Sequence, residues 1–329
     1  MARLQAKDAE DQAKILSRRL NQIQVKLERL VTEVAGTSDT SAYYWLARQR
    51  EAKALYEEMR AITKTFITSK IPLAYDESVR DAIRKLKATE FTPNALNYNE
   101  FSVSRVYTQG LSAIISDSLN AFANAYGTGE TQFIRLMRFT QQVNLTEKQV
   151  NKAIENGYID TGTPQGTAAR LRDELLKKFK DGEFVTIVDK NGVTRQYNVD
   201  AYAEMVARTK LIEATTAGVV SSTLACGGDL VQISAHKTLC EVCQEFEGKI
   251  YSITGNDPDF PDVEELPPFH PNCQHTVDST FRAGMEAQGT LQDFIDFSNG
   301  DSETHPTRKS FIPVSERKNV VGIIRSGQA

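Results

Sequence analysis

The sequence predicts an α+β protein with a mainly helical N-terminal half and a small α+β domain after it. Three observations support this prediction. Apolar residues recur at coiled-coil spacing through the first 36 residues, a β-hairpin signal lies in the second half, and most cysteines and histidines fall in one C-terminal stretch. The 329 residues are enough for two domains, or for one domain with helical extensions.

The first predicted element is a long helix that ends at Gly36. Its apolar residues follow alternating steps of four and three, which is the a/d pattern of a coiled coil. They are Ala2, Ala6, Ala9, Ala13, Leu16, Leu20, Ile23, Leu27, Leu30 and Val34. A second helix has one apolar face from Trp45 to Phe66 and is expected to end before Pro72, where a backbone donor is missing. The two helices would form an antiparallel hairpin, or a coiled coil with another chain.

Further helices are predicted in the rest of the N-terminal half. They cover 76–87, 98–126, 146–157 and 167–179, and Gly127-Thr128-Gly129 is expected to interrupt the pattern. The last two helices flank a turn at 157–164 and have the outline of a helix-turn-helix. Because this connector is long for that motif and the second helix carries balanced charge, an ordinary helical hairpin is the preferred interpretation.

The period of the apolar residues changes after residue 182. A β-hairpin is predicted with strands at 184–188 and 193–199 around Asn191-Gly192, a pair that favours tight turns. A helix over 201–224 and strands at 229–234 and 249–253 are expected to follow. The predicted domains are a helical domain at 1–182 that is a candidate partner-docking region, an α+β domain at 183–285 and a basic tail at 286–329.

The tail from His305 onward carries five basic residues and one acidic residue, with apolar residues between them. It is either a solvated terminus or an arm that docks on a partner protein or on nucleic acid phosphates. The chain as a whole has a net charge of -4, so no global positive field draws it to nucleic acid.

The sequence predicts neither a secretory signal nor a membrane span. The N-terminus is charged and has no apolar core. The longest apolar runs are far too short to cross a bilayer. The chain is therefore expected in a cytosol, or in a particle assembled there.

Three of the four cysteines and three of the four histidines lie between residues 236 and 275. Cys240 and Cys243 form a C-x-x-C pair, whose thiolates can bind one ion from a single tight turn. His270 and Cys273, also separated by two residues, can complete a tetrahedral, zinc-knuckle-like site from a second turn. His270 is the preferred fourth ligand, and His275 is an outer hydrogen-bond donor or a substitute. The predicted cofactor is a structural zinc.

Other interpretations of these cysteines remain open. A C-x-x-C can be a redox pair, although the βαβ context of such sites is missing. A disulfide between Cys273 and one of the pair would leave a reactive thiol and suits an oxidising compartment. Cys226 stands alone and is interpreted as a small buried hydrophobic residue. The acidic loop at 257–265 could bind a hard cation or be solvated.

The predicted metal site is expected to be structural, so no catalytic residue is assigned. A hydrolytic zinc keeps one position for water and needs a carboxylate as base, whereas four protein ligands are at hand here. Pro271 stands where an H-E-x-x-H motif would have its glutamate. The sequence also has no P-loop, no Rossmann glycine fingerprint and no G-x-S-x-G motif.

Together these features resemble the minor head proteins of tailed phages, which are minor capsid or head morphogenesis proteins of the Mu F-like type. The resemblance covers about residues 183–280. It comprises the β-hairpin, Ala207-Arg208-Thr209 on the next helix, the C-x-x-C, Glu247-Gly248-Lys249 and Pro267-Pro268-Phe269-His270-Pro271-Asn272-Cys273-Gln274-His275. Many members end this last motif with Cys-Arg-Cys, so the fourth ligand is open at this point.

The resemblance implies a structural protein and not an enzyme. It implies a few copies per particle near the portal vertex inside the phage head, following assembly in the host cytoplasm. The implied partners are portal and capsid proteins, with packaged DNA as a further partner of the basic tail and no membrane. The implied roles are in head assembly and in genome packaging or ejection.

Two alternatives differ in class from this structural role. One is a zinc-dependent nuclease or hydrolase that acts near the genome, with Glu245, Glu247 or an acid of the loop as base. The other is a DNA-binding module that uses the helix pair at 146–179 or the tail, and its affinity would fall steeply with salt.

Overall fold

The computed structural model describes residues 2–88, 97–155, 164–188, 192–236 and 240–302. Of the turn predicted at 157–164, only Pro164 is among the described residues. The hairpin-turn residues 189–191 and the tail from His305 onward lie outside them. The described residues form nine helices and five strands. The helices are α1 Ala2–Gly36, α2 Ala42–Ala88, α3 Tyr98–Ser102, α4 Arg105–Glu155, α5 Pro164–Lys180, α6 Val199–Ala225, α7 Glu241–Gln244, α8 Arg282–Gln288 and α9 Leu291–Asn299. The strands are β1 Val185–Val188, β2 Thr194–Tyr197, β3 Leu230–Ile233, β4 Ile250–Ser252 and β5 Val277–Thr280.

The predicted fold class is confirmed, because long helices precede two small antiparallel sheets. The chain divides into two compact units that interleave along the sequence. One unit takes in the residues up to Ala9, Ile71–Ile114 and the chain from Thr209 onward. The other contains Glu10–Lys70 and Ile115–Arg208. The sequence-contiguous division into 1–182, 183–285 and 286–329 stays a prediction.

The apolar seam of α1 is buried within its own chain. From Ala13 to Val34, every seam residue is at most 1% exposed. Lys26 of α1 forms an ion pair with Glu58 of α2 at 3.2 Å. Further along α1, Glu33 pairs at 2.9 Å with Arg48, which comes earlier in α2. The two helices are therefore antiparallel, which confirms the hairpin interpretation over a coiled coil with another chain.

The prediction that the second helix ends before Pro72 is wrong, because α2 continues to Ala88. The helix predicted at 76–87 is its second half. A proline inside a helix costs about 3 kcal/mol, since it removes one hydrogen bond and crowds the preceding turn. That cost is offset by burial, because Ile71 just before the proline and Tyr75, Val79 and Ile83 after it form one buried face at four-residue spacing.

The predicted interruption at Gly127-Thr128-Gly129 is also wrong. Helix α4 runs through it and joins most of the helix predicted at 98–126 to the helix predicted at 146–157. The first of these predicted helices is instead interrupted near its start, at Val103 and Ser104. That break follows the short helix α3, which Asn97 caps through the backbone N–H of Asn99. A glycine inside a helix costs only about 1 kcal/mol. At position 129 the missing side chain is required, since a Cβ there would lie 2.1 Å from the carbonyl oxygen of Phe184.

The predicted β-hairpin is confirmed as the antiparallel pair β1 and β2, with Val185 opposite Tyr197. The predicted strands after it are β3 and β4, and they belong to a three-stranded antiparallel sheet with the order β4-β3-β5. Strand β5 and the short helices α7, α8 and α9 are not predicted from the sequence. Helix α9, which lies in the segment predicted as the tail, packs on β4, where Ile250 N–H donates to Ser298 Oγ at 3.0 Å. The sheet thus has a hydrophobic cover after residue 285, including Phe294.

The carboxylate of Asp76 on α2 collects three hydrogen bonds. Arg80 Nε donates at 2.8 Å, the Tyr107 hydroxyl donates at 3.0 Å, and the Tyr98 hydroxyl also donates to it. Burial acts to raise the pKa of Asp76, but the donors from Tyr98, Arg80 and Tyr107 outweigh it and lower that pKa. The folded state therefore favours the ionised carboxylate.

We expect Asp76→Asn to lower the free energy of unfolding at pH 7 by about 1.5–3 kcal/mol, the usual contribution of a hydrogen bond to a charged group. A carboxyl with a lowered pKa in the folded state stabilises the fold above its unfolded pKa of about 3.9 and loses that effect as the pH falls further. The difference between wild type and variant should therefore shrink below about pH 4. Urea unfolding at several pH values measures this, with the exposed Glu77→Gln as control. A difference that is constant with pH would contradict the assignment.

Candidate metal centre

The first two thiols of the cluster are positioned by α7. Cys240 is the N-cap of this one-turn helix, and Cys243 lies within it. The Cys240 carbonyl accepts hydrogen bonds from Cys243 N–H at 3.1 Å and from Gln244 N–H at 3.0 Å. Residues three apart on a helical turn lie on the same side, so both thiols face one point.

A second turn supplies the other donors. The His270 carbonyl accepts from Cys273 N–H at 3.0 Å, which closes a tight turn. Asn272 in this turn has a φ of 67°, a left-handed conformation that asparagine adopts more readily than most residues. The chain then runs into β5, and Cys273 and His275 are two residues apart just before that strand.

The donor atoms of the two turns converge around Cys243. Its Sγ lies 3.0 Å from His270 Nε2 and 4.0 Å from Cys273 Sγ. Cys240 Sγ is 3.3 Å from the same His270 nitrogen. Cys273 Sγ is 3.6 Å from His275 Nδ1. All five predicted residues therefore lie close enough to hold a metal ion, in two groups that share Cys243.

These distances match the edges of a metal-centred tetrahedron. With Zn–S bonds of about 2.3 Å and Zn–N bonds of about 2.0 Å, neighbouring ligand atoms lie about 3.5–3.8 Å apart. The separations of 3.0–4.0 Å within the cluster bracket this range. None of the four cysteines forms a disulfide in the structure, neither within the C-x-x-C pair nor with Cys273. Cys226 is buried, as predicted for a small hydrophobic residue.

His270 and His275 each have a partner at the ring nitrogen that faces away from the thiols. His270 Nδ1 lies 2.7 Å from the carbonyl oxygen of Pro271. His275 Nε2 lies 3.4 Å from Glu247 Oε1. Outer partners of this kind fix the ring orientation and tautomer of metal-binding histidines. The two histidines differ in burial, because His275 is 2% exposed, whereas His270 is half-buried.

The electrostatics of the cluster favour a cation at its centre. The backbone N–H of Cys243 lowers the pKa of the Cys240 thiol. Burial raises the pKa of the Cys243 thiol, and the neighbouring Cys273 raises it further. Burial lowers the pKa of His275 against the opposing effect of Glu247, which favours the neutral ring, the form that binds metals. A divalent ion offsets the repulsion between thiolates and deprotonates the thiols it binds.

The acidic loop at 257–265 is not one of the groups that could hold a metal ion among the described residues. Asp257 and Asp259 instead form ion pairs with Arg282, at 2.6 Å and 2.8 Å. A hard-cation site is one of the two interpretations that the sequence of this loop allows, and the ion pairs with Arg282 favour neither a cation nor full solvation of these two acids. Through these ion pairs, Asp257 and Asp259 attach the loop to α8.

Glu247 is the neighbour that sequence reasoning did not place. Its sequence context suggests a candidate base and a part of the family motif, and nothing in a separation of 28 residues indicates that its carboxylate faces His275. Its Oε1 also accepts a hydrogen bond from the backbone N–H of His236. The choice of fourth ligand between His270 and His275 remains a prediction.

No helix in the described part of the chain is long and apolar enough to cross a membrane. The fold thus combines long helices with a small sheet region and a cluster of five metal-binding side chains. A sequence model of the family described as "Phage minor capsid protein 2" matches residues 75–294, which is more than half of the chain. The chain belongs to this family, which confirms the predicted relation to phage minor capsid proteins.

No curated protein and no solved structure matches the chain. Family membership makes this a structural protein of the phage virion that associates with other capsid components. The family match and the metal-binding cluster overlap in sequence, since all five donor residues lie within 75–294.

Proposed function

We propose that the protein is a minor capsid protein that docks near the portal vertex inside the head. There it supports assembly and genome packaging or ejection, in a few copies per particle. Membership in the minor capsid family supports this proposal most directly. The helical N-terminal half offers long surfaces for docking on portal and capsid proteins, and the basic tail is the candidate contact to packaged DNA.

The proposed cofactor is one structural zinc, held by Cys240, Cys243, Cys273 and one histidine. Sulfur and imidazole ligands in tetrahedral arrangement select zinc over magnesium or calcium, which prefer oxygen. The strands of this sheet have only three or four residues each, so few backbone hydrogen bonds join them. A metal that links α7 to the turn before β5 supplies stability that such a sheet lacks.

A closed structural site accounts for the donors better than a hydrolytic one does. A hydrolytic zinc needs a position for water and a carboxylate directed at that water. The acid nearest the cluster, Glu247, is instead directed at His275 and at the main chain of His236. Five protein donors for one ion leave no need for water as a ligand. The hydrolase remains the less supported alternative, and the DNA-binding module depends on segments outside the described residues.

Deleting the gene is expected to yield defective heads, and a plasmid copy should restore them. Purified wild-type virions should contain the protein at well below the copy number of the major capsid protein. Chemical cross-linking of procapsids followed by peptide mass spectrometry should join its N-terminal helices to the portal protein. If the protein is absent from purified virions, or if deletion leaves particle yield and infectivity unchanged, the proposed role is wrong.

A further inference from the structure

Glu247 connects two parts of the metal centre that are distant in sequence. It lies in the segment between α7 and β4, three residues before Ile250. Its Oε1 accepts the backbone N–H of His236, close behind the central strand β3, and faces Nε2 of His275 at 3.4 Å. The carboxylate is thus fixed to the main chain just after β3 and can in turn fix an imidazole ring.

The segment that carries His275 is held by two hydrogen bonds between Thr276, the next residue, and Ser234. Thr276 N–H donates to Ser234 Oγ at 3.0 Å, and Ser234 N–H donates to the Thr276 carbonyl at 2.9 Å. The His275 ring is 2% exposed and packs edge-on against His236, with 5.0 Å between ring centroids. The ring therefore has little freedom to turn away from the cluster.

The contact with Glu247 selects one tautomer of His275. A carboxylate only accepts hydrogen bonds, so the proton of a neutral ring sits on Nε2. Nδ1 then carries a lone pair, which is directed toward Cys273 Sγ at 3.6 Å. Two electron-rich atoms at this distance are compatible when a cation lies between them. A carboxylate behind the remote nitrogen is the usual support of a metal-binding histidine.

We propose that Glu247 is the positioning residue of the metal centre and that it makes His275, through Nδ1, the fourth ligand beside Cys240, Cys243 and Cys273. This assignment rests on the proposed zinc. It differs from the prediction based on sequence spacing, in which His270 is the fourth ligand and His275 is the outer hydrogen-bond donor. His270 Nε2 then lies beside the four ligands without being one of them, 3.3 Å from the sulfur of Cys240 and 3.0 Å from that of Cys243.

Imidazole NMR of the full-length protein tests the ligand directly and needs no variant. The chain has only 4 histidines, so uniformly ¹⁵N-labelled protein loaded with ¹¹³Cd gives a simple long-range proton–nitrogen spectrum. We expect one ring to show cadmium coupling at Nδ1 with a protonated Nε2. Coupling at Nε2 of a ring with a protonated Nδ1 would identify His270 instead and overturn the assignment.

Affinity measurements test the role of Glu247. Glu247→Gln should bind zinc about 10- to 100-fold more weakly than wild type, the usual loss when an outer partner of a ligand is removed. Glu245→Gln makes the same charge change at an exposed position two residues away and should bind like wild type. The cadmium-loaded Glu247→Gln protein should also show an altered His275 nitrogen signal. Unchanged affinity and unchanged signal would show that Glu247 does not position the ring.

The two proposals fail in different ways. If wild-type protein takes up no zinc or cadmium, the proposed metal centre is wrong, and the assignment of His275 falls with it. If the metal binds and the coupled ring is His270, only the role of His275 and Glu247 is wrong. His270→Ala keeps the wild-type absorption spectrum after Co²⁺ substitution if His275 is the ligand, and changes it otherwise.

Discussion

Replacing Cys243 with serine is expected to abolish metal binding and to unfold the sheet region around the cluster. Cys243 belongs to both groups of donors and is 1% exposed, so no other residue can take its place. Structural zinc contributes about 10–16 kcal/mol to the folding of small zinc domains. Such a loss is as large as the whole stability of a typical domain, about 5–15 kcal/mol. Hydrogen exchange read by mass spectrometry should show lost protection in β3, β4 and β5.

A matched control separates the loss of a metal ligand from the loss of a buried thiol. Cys226 is equally buried and lies outside the cluster. Cys226→Ser should keep its metal and its protected strands, with a cost of about 1–3 kcal/mol for a buried hydroxyl. If Cys243→Ser keeps strand protection equal to that of Cys226→Ser, the cluster is not the element that holds this sheet.

Replacing Gly129 with alanine is expected to lower the free energy of unfolding of the unit formed by Glu10–Lys70 and Ile115–Arg208 by about 3 kcal/mol or more. The new Cβ would lie 2.1 Å from the Phe184 carbonyl oxygen and 3.2 Å from the Tyr56 hydroxyl. That hydroxyl donates to the same carbonyl at 3.0 Å, so neither neighbour can move alone. Phe184 also packs on Phe179, with 5.3 Å between ring centroids. The midpoint of thermal unfolding should fall by roughly 6–12 °C.

Gly127, two residues earlier on the same helix, provides the control. A Cβ at this position meets no atom within 4 Å. Gly127→Ala should therefore raise stability by up to about 1 kcal/mol, because alanine is the better helix former. Equal effects of the two substitutions would show that the approach of Phe184 does not constrain α4.

The elements that the sequence predicts correctly have local signals. The seam of α1 repeats over several turns, Asn191-Gly192 marks the hairpin, and the spacing of Cys240 and Cys243 indicates a metal turn by itself. Each signal depends on residues a few positions apart. The local structure that such a signal predicts therefore does not depend on contacts elsewhere in the fold.

The wrong predictions depended on contacts that local patterns do not contain. Pro72 and Gly129 normally interrupt helices, but burial beyond Pro72 and the Phe184 carbonyl beside Gly129 override that preference. Strand β5 has one buried residue among four, Val277, so its pattern is weak, and pairing with β3 defines it. Glu247 meets His275 through the arrangement of three strands, which the spacing of cysteines cannot show.

Metal analysis of the purified full-length protein tests the central claim most directly. Inductively coupled plasma mass spectrometry should find one zinc per chain, and extended X-ray absorption should find three sulfur ligands at about 2.3 Å and one nitrogen at about 2.0 Å. Removal of the zinc by a chelator should expose β3, β4 and β5 to hydrogen exchange. Protein without bound metal whose strands are nevertheless protected would contradict a metal-stabilised minor capsid protein.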